Sequence, residues 1–367
     1  MFEFAIKKED LLTPLLTVAG AVDKKQSLAI LSNFLFKVSD GLLCITATDL
    51  EIEISAQVAC DSQQSTGSIT VPAKKFIDII RSLDDQSSPN LQVDNGILKI
   101  KQGRSSFKLT TLAADGYPLS EDECNEVELS IPRLVLLQLL QSTHFAMSQQ
   151  DVRVFLNGLF LDFEPNQISA VATDGHRMAI SRYQCTHMSD KKLLLPKKGV
   201  QELLRILNGI EDEHVLLAAG KSHFKLVSSQ FVFLSKLIEA RFPPYAKAIP
   251  RNQDKQIIID CAVLKRALSR IVILAHEKSK AVMLHLQPGL LTLIANNNEQ
   301  EEAVESLTAE TQGEELKIGL NATYLLDVLS HFGDGQIRLS LSNTDSSILV
   351  ESLVNDNYQY IIMPMKI

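Results

Sequence analysis

Three short sequence markers recur in one order along the chain, and this repeat constrains the fold more than any other feature. A strand-like run is followed by a similar trio of residues at Ala47-Thr48-Asp49, Ala172-Thr173-Asp174 and Ala295-Asn296-Asn297, at spacings of 125 and 123 residues. A helical pattern opens at Val71-Pro72, Leu195-Pro196 and Leu320-Asn321, at spacings of 124 and 125 residues. A short strand that turns into a helix spans Phe2 to Leu16, Val127 to Leu140 and Ile257 to Val272. Self-similarity at a fixed period indicates a chain built from repeated structural units.

The repeat predicts three domains, at residues 1–125, 126–253 and 254–367. Polar segments at Asp122-Glu123 and at 251–254 supply the linkers. Each repeat is predicted to run strand, helix, several strands, second helix and further strands. Alternating runs such as Phe34 to Val38 and Phe231-Val232-Phe233 are typical of antiparallel sheet. We therefore expect an α+β fold with helices on one face of the sheets.

Composition excludes several classes of protein. The 367 residues are 45% apolar and 22% charged, which is an ordinary globular balance. No segment approaches the ~18 consecutive apolar residues of a membrane span. The five cysteines are scattered, odd in number and lack a C-x-x-C pair, which disfavours a disulfide framework and a zinc site. We expect a cytoplasmic protein with no membrane association, no metal and no cofactor.

The formal net charge of −8 argues, taken alone, against a nucleic-acid partner, but the charges are unevenly distributed. Between Leu264 and Ala275 one helical face is apolar, while the other carries Lys265, Arg266 and Arg270. In the second helices of the first two repeats, the pairs Lys74 and Arg81, and Lys198 and Arg205, lie seven residues apart on one face. Such faces suit a polyanion held by its phosphates without base reading, although a merely solvated surface is the alternative.

Catalytic chemistry has one candidate, the segment Thr173-Asp174-Gly175-His176-Arg177. An Asp close to a His favours acid/base catalysis, so a hydrolase or transferase using Asp174 and His176 is one hypothesis. Asp-Gly is also a strong turn pair, and the equivalent Thr48-Asp49 has no His. No phosphate loop, nucleophile elbow, H-E-x-x-H or dinucleotide fingerprint is present. A binding scaffold, including one that binds only proteins, fits the sequence better than an enzyme.

Seven segments together resemble a known family, the bacterial DNA sliding clamps, which are the beta subunits of DNA polymerase III. They are TDLE, VPAKKF, QDVRVFLNG, ATDGHRMA, ARFPPY, NNNEQEEA and YIIMPMKI, and the resemblance covers essentially the whole chain. It implies three similar domains per chain, paired head to tail in a homodimeric ring with helices lining the hole and antiparallel sheets outside. It also implies a non-catalytic processivity factor that encircles duplex DNA without sequence specificity and tethers replication and repair proteins.

The resemblance further implies a hydrophobic cleft between the second and third domains, where short motifs of the polymerase III catalytic subunit, the clamp loader and other partners dock. Matching positions in this chain are Leu156, Thr173, Gly175, His176, Arg177, Met178, Pro243, Lys247, Ala248, Asn321, Tyr324, Ser347, Ile361, Ile362, Met363, Pro364 and Met365. Lys247 stands where the family often has Arg, and Ala248 where a larger aliphatic residue is common. Flexible methionines suit a site that accepts several partners.

DNA contacts and the ring seam are carried over in the same way. The positions implied for DNA are Lys25, Lys74, Gln150, Phe155, Lys197 and Lys198. Val154 stands where the family can present a tyrosine. At the seam, Phe107 and Leu109 of one chain are expected to meet Ile273 and Leu274 of the other, with Lys75 and Arg104 facing Glu299, Glu301 and Glu305. Ser106 sits where a further basic residue would strengthen the seam.

Overall fold

The α-helices lie where the repeat predicts them. The computed structural model describes residues 2–23, 28–62, 65–85, 88–121, 124, 126–186 and 190–366. The α-helices within these ranges are α1 (Lys8–Val18), α2 (Ala73–Ser82), α3 (Arg133–Gln141), α4 (Lys197–Gly209), α5 (Cys261–Ile271) and α6 (Ala322–Leu329). Helices α1, α3 and α5 each follow a short strand, and α2, α4 and α6 are the predicted second helices. The three-fold repeat of strand and helix order is therefore confirmed.

The strands repeat in the same way. The first repeat contains β1 (Phe2–Ala5), β2 (Asn33–Ser39), β3 (Leu42–Thr48), β4 (Ile52–Ala59), β5 (Gly67–Pro72), β6 (Asn90–Asp94), β7 (Ile97–Gln102) and β8 (Ser105–Thr110). The second contains β9 (Val127–Pro132), β10 (Gly158–Glu164), β11 (Gln167–Thr173), β12 (Arg177–Gln184), β13 (Lys191–Pro196), β14 (His214–Ala219), β15 (His223–Val227) and β16 (Phe231–Lys236). The third contains β17 (Lys255–Asp260), β18 (Ala281–Gln287), β19 (Leu290–Asn296), β20 (Glu302–Thr308), β21 (Glu310–Gln312), β22 (Leu316–Asn321), β23 (Gln336–Leu341), β24 (Ile348–Ser352) and β25 (Tyr358–Ile362).

The described strands form four antiparallel sheets, which confirms the predicted α+β class. Their orders are β1-β6-β7-β8, β5-β2-β3-β4-β16-β15-β14-β9, β13-β10-β11-β12-β25-β24-β23-β17-β21 and β20-β19-β18-β22. The two large sheets are each made of two four-stranded sets from successive repeats, and β21 adds one strand to the second. One joint pairs Phe233 with Ile54, and the other pairs Tyr360 with Ala179.

Each of the two four-stranded sheets has one edge strand whose counterpart in the larger sheets pairs with a strand of another repeat. Strand β20 holds the place in its repeat that β4 and β12 hold in theirs, and β8 corresponds to β16 and β25. Strands β4 and β12 pair with β16 and β25, whereas β8 and β20 are edges among the described strands. An unpaired edge presents a row of free backbone N–H and C=O groups.

Chain contacts divide the protein into two compact units. One contains Met1–Leu134 and Lys198–Leu237, and the other contains Val135–Lys197 and Ile238–Ile367. In the first unit, Phe36 and Phe76 are fully buried and meet edge to face with ring centres 5.2 Å apart. In the second, the predicted apolar stripe of α5 is buried at Leu264, Leu268 and Ile271. The proposed boundaries at residues 125 and 254 stay predictions.

Local capping explains where the two helices of the third repeat begin. The Asp260 side chain accepts a hydrogen bond from Val263 N at 2.9 Å at the start of α5. Asn321 accepts from Thr323 N at 2.9 Å at the start of α6. Both side chains satisfy backbone donors that have no partner inside the helix.

In the part of the chain that the structure describes, none of the helices has the length and apolar character needed to cross a bilayer.

Candidate functional site

A cavity of about 450 Å³ in the second unit brings together most of the predicted cleft residues. Its lining includes Leu156, Thr173, Gly175, His176, Arg177, Met178, Pro243, Ala248, Ser347, Ile361 and Met363. It also includes residues that the sequence did not place there, namely Arg153, Phe155, Phe242, Pro244 and Tyr245. The predicted Lys247, Asn321, Tyr324, Ile362, Pro364 and Met365 are not among its lining residues. We call this cavity the cleft.

The floor of the cleft is aromatic and apolar. The ring of Phe242 stacks on Phe160 with ring centres 4.6 Å apart, and Phe155 meets Phe242 edge-on at 6.1 Å. Met178 and Ile361 are buried in the same hydrophobic cluster. Concave apolar sites with a few polar groups at the rim are typical of ligand and peptide binding. The cleft therefore suits apolar side chains of a bound partner.

The C-terminal strand is a fixed wall of the cleft. Strand β25 pairs with β12, with Met178 opposite Ile361. Beyond the strand, Met363 N donates to His176 O at 2.9 Å, and Met365 N donates to Gly319 O at 2.8 Å. These bonds hold the apolar segment in place, and the Met363 side chain is 48% exposed. A flexible thioether at an exposed position can adapt to different ligands.

Asp174 forms a structural turn rather than a catalytic centre. Its Oδ1 accepts hydrogen bonds from His176 N and Arg177 N, both at 2.9 Å, and its Oδ2 accepts one from Arg177 Nε at 3.1 Å. Asp49 makes the same turn in the first repeat, accepting from Glu51 N and Ile52 N. Residues Leu50 and Gly175 occupy the same left-handed position, with φ of 74° and 89°. With the carboxylate thus occupied, the geometry argues against acid/base chemistry by Asp174.

Arg177 links the cleft to α6. Its guanidinium binds Asp174, donates Nη1 to Asp327 Oδ2 at 2.5 Å, and donates Nη2 to Phe145 O at 2.8 Å. The group also lies over the Tyr324 ring, 4.5 Å from its centre. The Arg177 side chain is only 11% exposed. A nearly buried cation with this many partners fixes the backbone at the rim of the cleft.

The residues predicted to contact DNA differ in whether their side chains already bind other groups of the same chain. Lys74 and Gln150 are exposed, and Lys25 lies outside the described residues. Lys198 forms an ion pair with Asp49. Arg205, on the same helix, binds Glu202 and donates to the carbonyl groups of Leu16 and Thr17 at the end of α1. Part of the basic surface predicted for α4 therefore holds the first unit together.

Sequence comparison relates the whole chain to a single family. The chain matches models of the N-terminal domain of the DNA polymerase III beta subunit at residues 2–121, of its central domain at 130–244 and of its C-terminal domain at 246–366. The chain belongs to this family. It is a sliding clamp, a processivity factor of DNA replication, and not an enzyme.

Relatives of this clamp are similar over their full length. The Beta sliding clamp of Proteus mirabilis is 39% identical over 366 residues, covering 100% of both chains. The DnaN sliding clamp of Pseudomonas aeruginosa bound to griselimycin is 40% identical, covers 100% of both chains and superposes with a TM-score of 0.96. A Caulobacter crescentus beta sliding clamp with PEG bound to a putative beta-motif tethering region is 30% identical, with 100% of both chains covered and a TM-score of 0.96.

Most residues predicted for the clamp seam lie on or next to the two open sheet edges, and Lys75 lies in α2. Phe107 and Leu109 belong to β8, where Phe107 is half-buried and Leu109 is buried, and Arg104 is exposed in the turn before it. Ile273 is 75% exposed after α5, and Leu274 is half-buried. The remaining predicted seam residues are Lys75, Glu299 and Glu301, which are exposed, and Glu305, which is half-buried and bound to Arg270 of the same chain.

The cleft residues that the sequence did not indicate come from two segments of this clamp. Phe242 and Tyr245 belong to the ARFPPY segment, and Arg153 and Phe155 belong to QDVRVFLNG. From these two segments the resemblance implies only Pro243 and Leu156 for the cleft. Among the described residues, no group of His, Cys, Asp and Glu side chains could hold a metal ion.

A partly buried histidine, His331, makes the stability of this clamp depend on pH. The ring of His331 stacks on Phe145 with centres 4.5 Å apart and meets His144 edge-on. Burial, with smaller repulsion from His144 and Lys265 and an opposing effect of Asp327, lowers the pKa of His331 from 6.5 to about 4. Folding therefore favours the neutral ring of His331. The neutral ring contributes its full stability to the folded state above pH 6.5, and this stability is lost as the pH falls towards 4.

We expect His331→Phe, which keeps an aromatic ring against Phe145, to lose less stability on acidification than the wild type. Urea unfolding followed by far-UV circular dichroism, near pH 7 and near pH 5, measures the two free energies of unfolding. The carboxylates titrate in both proteins, so the difference between them reports His331. Equal losses in the two proteins would exclude this role for His331.

Proposed function

We propose that this clamp closes into a head-to-tail homodimeric ring around duplex DNA in the cytoplasm. The observation that carries the proposal is the pair of open edges, β8 and β20. Within one chain, the counterparts of these strands pair with each other at both joints between successive repeats. Pairing β20 of one copy with β8 of another repeats the same contact, and a closed set leaves neither strand as an edge. The family resemblance supports two copies per ring.

The side chains beside the edges support this seam. Ile273 and Leu274 follow α5 near β20, and the aliphatic surface they expose suits the apolar residues of β8. Lys75 in α2 and Arg104 before β8 give the first repeat positive charge, and Glu299 and Glu301 before β20 give the third repeat negative charge. Opposite charges of this kind set the register and orientation of an interface. The decisive experiment is retention on circular DNA after loading: a ring stays bound until the circle is cut, whereas an open chain is lost at once.

The ring holds DNA through positive groups and not through base contacts. Lys74, Lys197 and Lys198 begin the second helices of their repeats, and Gln150 is exposed on the loop that precedes β10. Lysines at such positions contact phosphates and give binding that weakens steeply with salt. Contacts of this type permit sliding because the backbone charge is the same at every step. The resemblance also implies Lys25 and Phe155 as DNA contacts, although Phe155 carries no charge and lines the cleft.

The cleft is the docking site for the polymerase III catalytic subunit, the clamp loader and other proteins with a short apolar motif. Its aromatic floor accepts apolar side chains, and Arg153, His176 and Arg177 provide polar groups at its rim. The similarity to the Pseudomonas aeruginosa clamp that binds griselimycin supports a further proposal, that griselimycin binds this chain in the cleft. Griselimycin then serves as a defined probe of the site.

We expect Met363→Asp to lower the affinity for griselimycin by at least about ten-fold, since a carboxylate would enter an apolar contact. Isothermal titration calorimetry measures the affinity. Val354→Asp is the matched control, because Val354 is 82% exposed and is not among the cleft residues. If both variants bound griselimycin as the wild type does, the ligand would not occupy the cleft.

A further inference from the structure

The loop that forms one side of the cleft is tied into a single body by its own hydrogen bonds. We call residues 148–157 the cleft loop. Ser148 N donates to Leu156 O at 2.9 Å, closing the loop at its base. Asp151 N donates to Asn157 Oδ1, and Asn157 Nδ2 donates back to Asp151 O, both at 2.8 Å. Because these bonds connect both ends of the loop, a shift at Ser148 is passed on to Leu156.

The cleft loop presents three side chains to the cleft. Arg153, Phe155 and Leu156 all line it. The Arg153 guanidinium is held by Asp151 through bonds of 3.0 Å from Nε and Nη2, and this lowers the pKa of Asp151 to about 2. The position of the loop therefore decides the shape of the cleft on that side.

Lys197, the first residue of α4, holds the base of the cleft loop. Its Nζ lies 3.5 Å from Met147 O and 3.3 Å from Ser148 O. These are long contacts to neutral acceptors, and such bonds are weaker than those to a charged oxygen. Partial burial, followed by repulsion from Arg177, lowers the pKa of Lys197.

Lys197 is also accessible from outside the cleft. A second cavity of about 400 Å³ is lined by Lys197, Met147 and Ser148, and it shares His176 and Arg177 with the cleft. The carboxylates of Asp151 and Asp174 also line this cavity, and each is paired with an arginine, Arg153 or Arg177. An anion that reaches the cavity meets an ammonium group whose present acceptors are carbonyl oxygens. A phosphate oxygen is the stronger acceptor because it carries charge.

We propose that Lys197 couples DNA to the cleft, exchanging the carbonyls of Met147 and Ser148 for a DNA phosphate and so releasing the cleft loop. The proposal rests on the function proposed above, in which Lys197 faces DNA. Release of the loop displaces Arg153, Phe155 and Leu156, so a ligand in the cleft binds less tightly when DNA is bound. By thermodynamic linkage, a ligand in the cleft weakens DNA binding by the same factor.

The test measures griselimycin affinity by calorimetry, with and without a saturating short DNA duplex at low salt. For the wild type we expect DNA to lower the affinity for griselimycin about five-fold, which is at the lower end of ordinary coupling between two sites. Lys197→Met removes the ammonium group and keeps the aliphatic stem. We expect it to bind griselimycin about five-fold more weakly without DNA and to show no further effect of DNA.

Two comparisons separate coupling from a simple packing role. Lys197→Arg retains a cation that can reach both carbonyls, and we expect it to restore the affinity without DNA. Lys221→Met, at an exposed lysine in the turn after β14, is the matched control and should behave as the wild type. Hydrogen exchange of the Ser148, Asp151 and Leu156 amides reads the loop directly, and DNA should accelerate it in the wild type but not in Lys197→Met.

The outcomes distinguish the two proposals. If the wild type bound neither the duplex nor griselimycin, the proposed function would fail. If it bound both, but DNA changed griselimycin affinity equally in wild type and Lys197→Met, the coupling role of Lys197 would be refuted. Unchanged loop exchange in the wild type on DNA binding would refute it as well, even if Lys197→Met failed to fold.

Discussion

Arg177→Met is expected to destabilise the second unit by about 3 kcal/mol and to abolish measurable binding of griselimycin. The substitution keeps an unbranched side chain of similar length but removes the guanidinium. Asp174, whose side chain is 15% exposed, then loses its cation, and Phe145 O loses its donor. Removing one partner of a nearly buried ion pair leaves the other charge uncompensated, which costs more than the pair itself contributes.

Urea unfolding followed by far-UV circular dichroism is the suitable measurement for Arg177→Met, because the chain contains no tryptophan. Arg251→Met is the control, since Arg251 is exposed in the segment before β17. Surface substitutions of that kind change stability by less than about 0.5 kcal/mol. If Arg177→Met were as stable as the wild type, the bonds from Arg177 to Asp174, Asp327 and Phe145 O would contribute little to the stability of the fold.

Ile273→Ala combined with Leu274→Ala is expected to split the dimer. Each side chain loses an aliphatic contact worth about 1.5–3 kcal/mol when fully buried in an interface. The dimer dissociation constant should therefore rise by about a hundred-fold or more. Light scattering over a dilution series measures the mass, and retention on circular DNA should be lost together with the dimer.

A second exposed aliphatic pair provides the control for the seam. Leu353 and Val354 are 42% and 82% exposed in the loop between β24 and β25, and neither residue belongs to β8 or β20. Their double substitution by Ala should leave mass and DNA retention unchanged. A wild-type chain that was monomeric at all concentrations would contradict the ring itself, and would favour a scaffold that binds only proteins.

The fold could be predicted from the sequence because the signals for each helix and strand lie in consecutive residues and recur in all three repeats. The strand-to-helix markers at Phe2, Val127 and Ile257 each produce the expected pair of elements. The pair Thr48-Asp49 recurs as Thr173-Asp174 because the turn needs a side-chain acceptor for two backbone N–H groups, which the aspartate supplies. Such requirements are visible in a few consecutive residues.

The site was harder to predict because its geometry depends on residues far apart in the chain. A helical face predicts that Lys198 and Arg205 point outward, but it cannot show that Asp49 and the end of α1 lie opposite them. Phe242 belongs to the cleft because it stacks on Phe160, a contact that no spacing rule indicates. The resemblance implies Tyr324 for the cleft, whereas in the structure Tyr324 lines the second cavity beside Lys197.

The joints between repeats differ in how they respond to dilution. At β4–β16 and β12–β25 both strands belong to one polypeptide, so their effective concentration is fixed by the connecting chain. A joint between β8 and β20 of two copies has no such tether, and its occupancy follows mass action. Passage of DNA into the ring would therefore take place at an intermolecular joint, where strands can part without unfolding either chain.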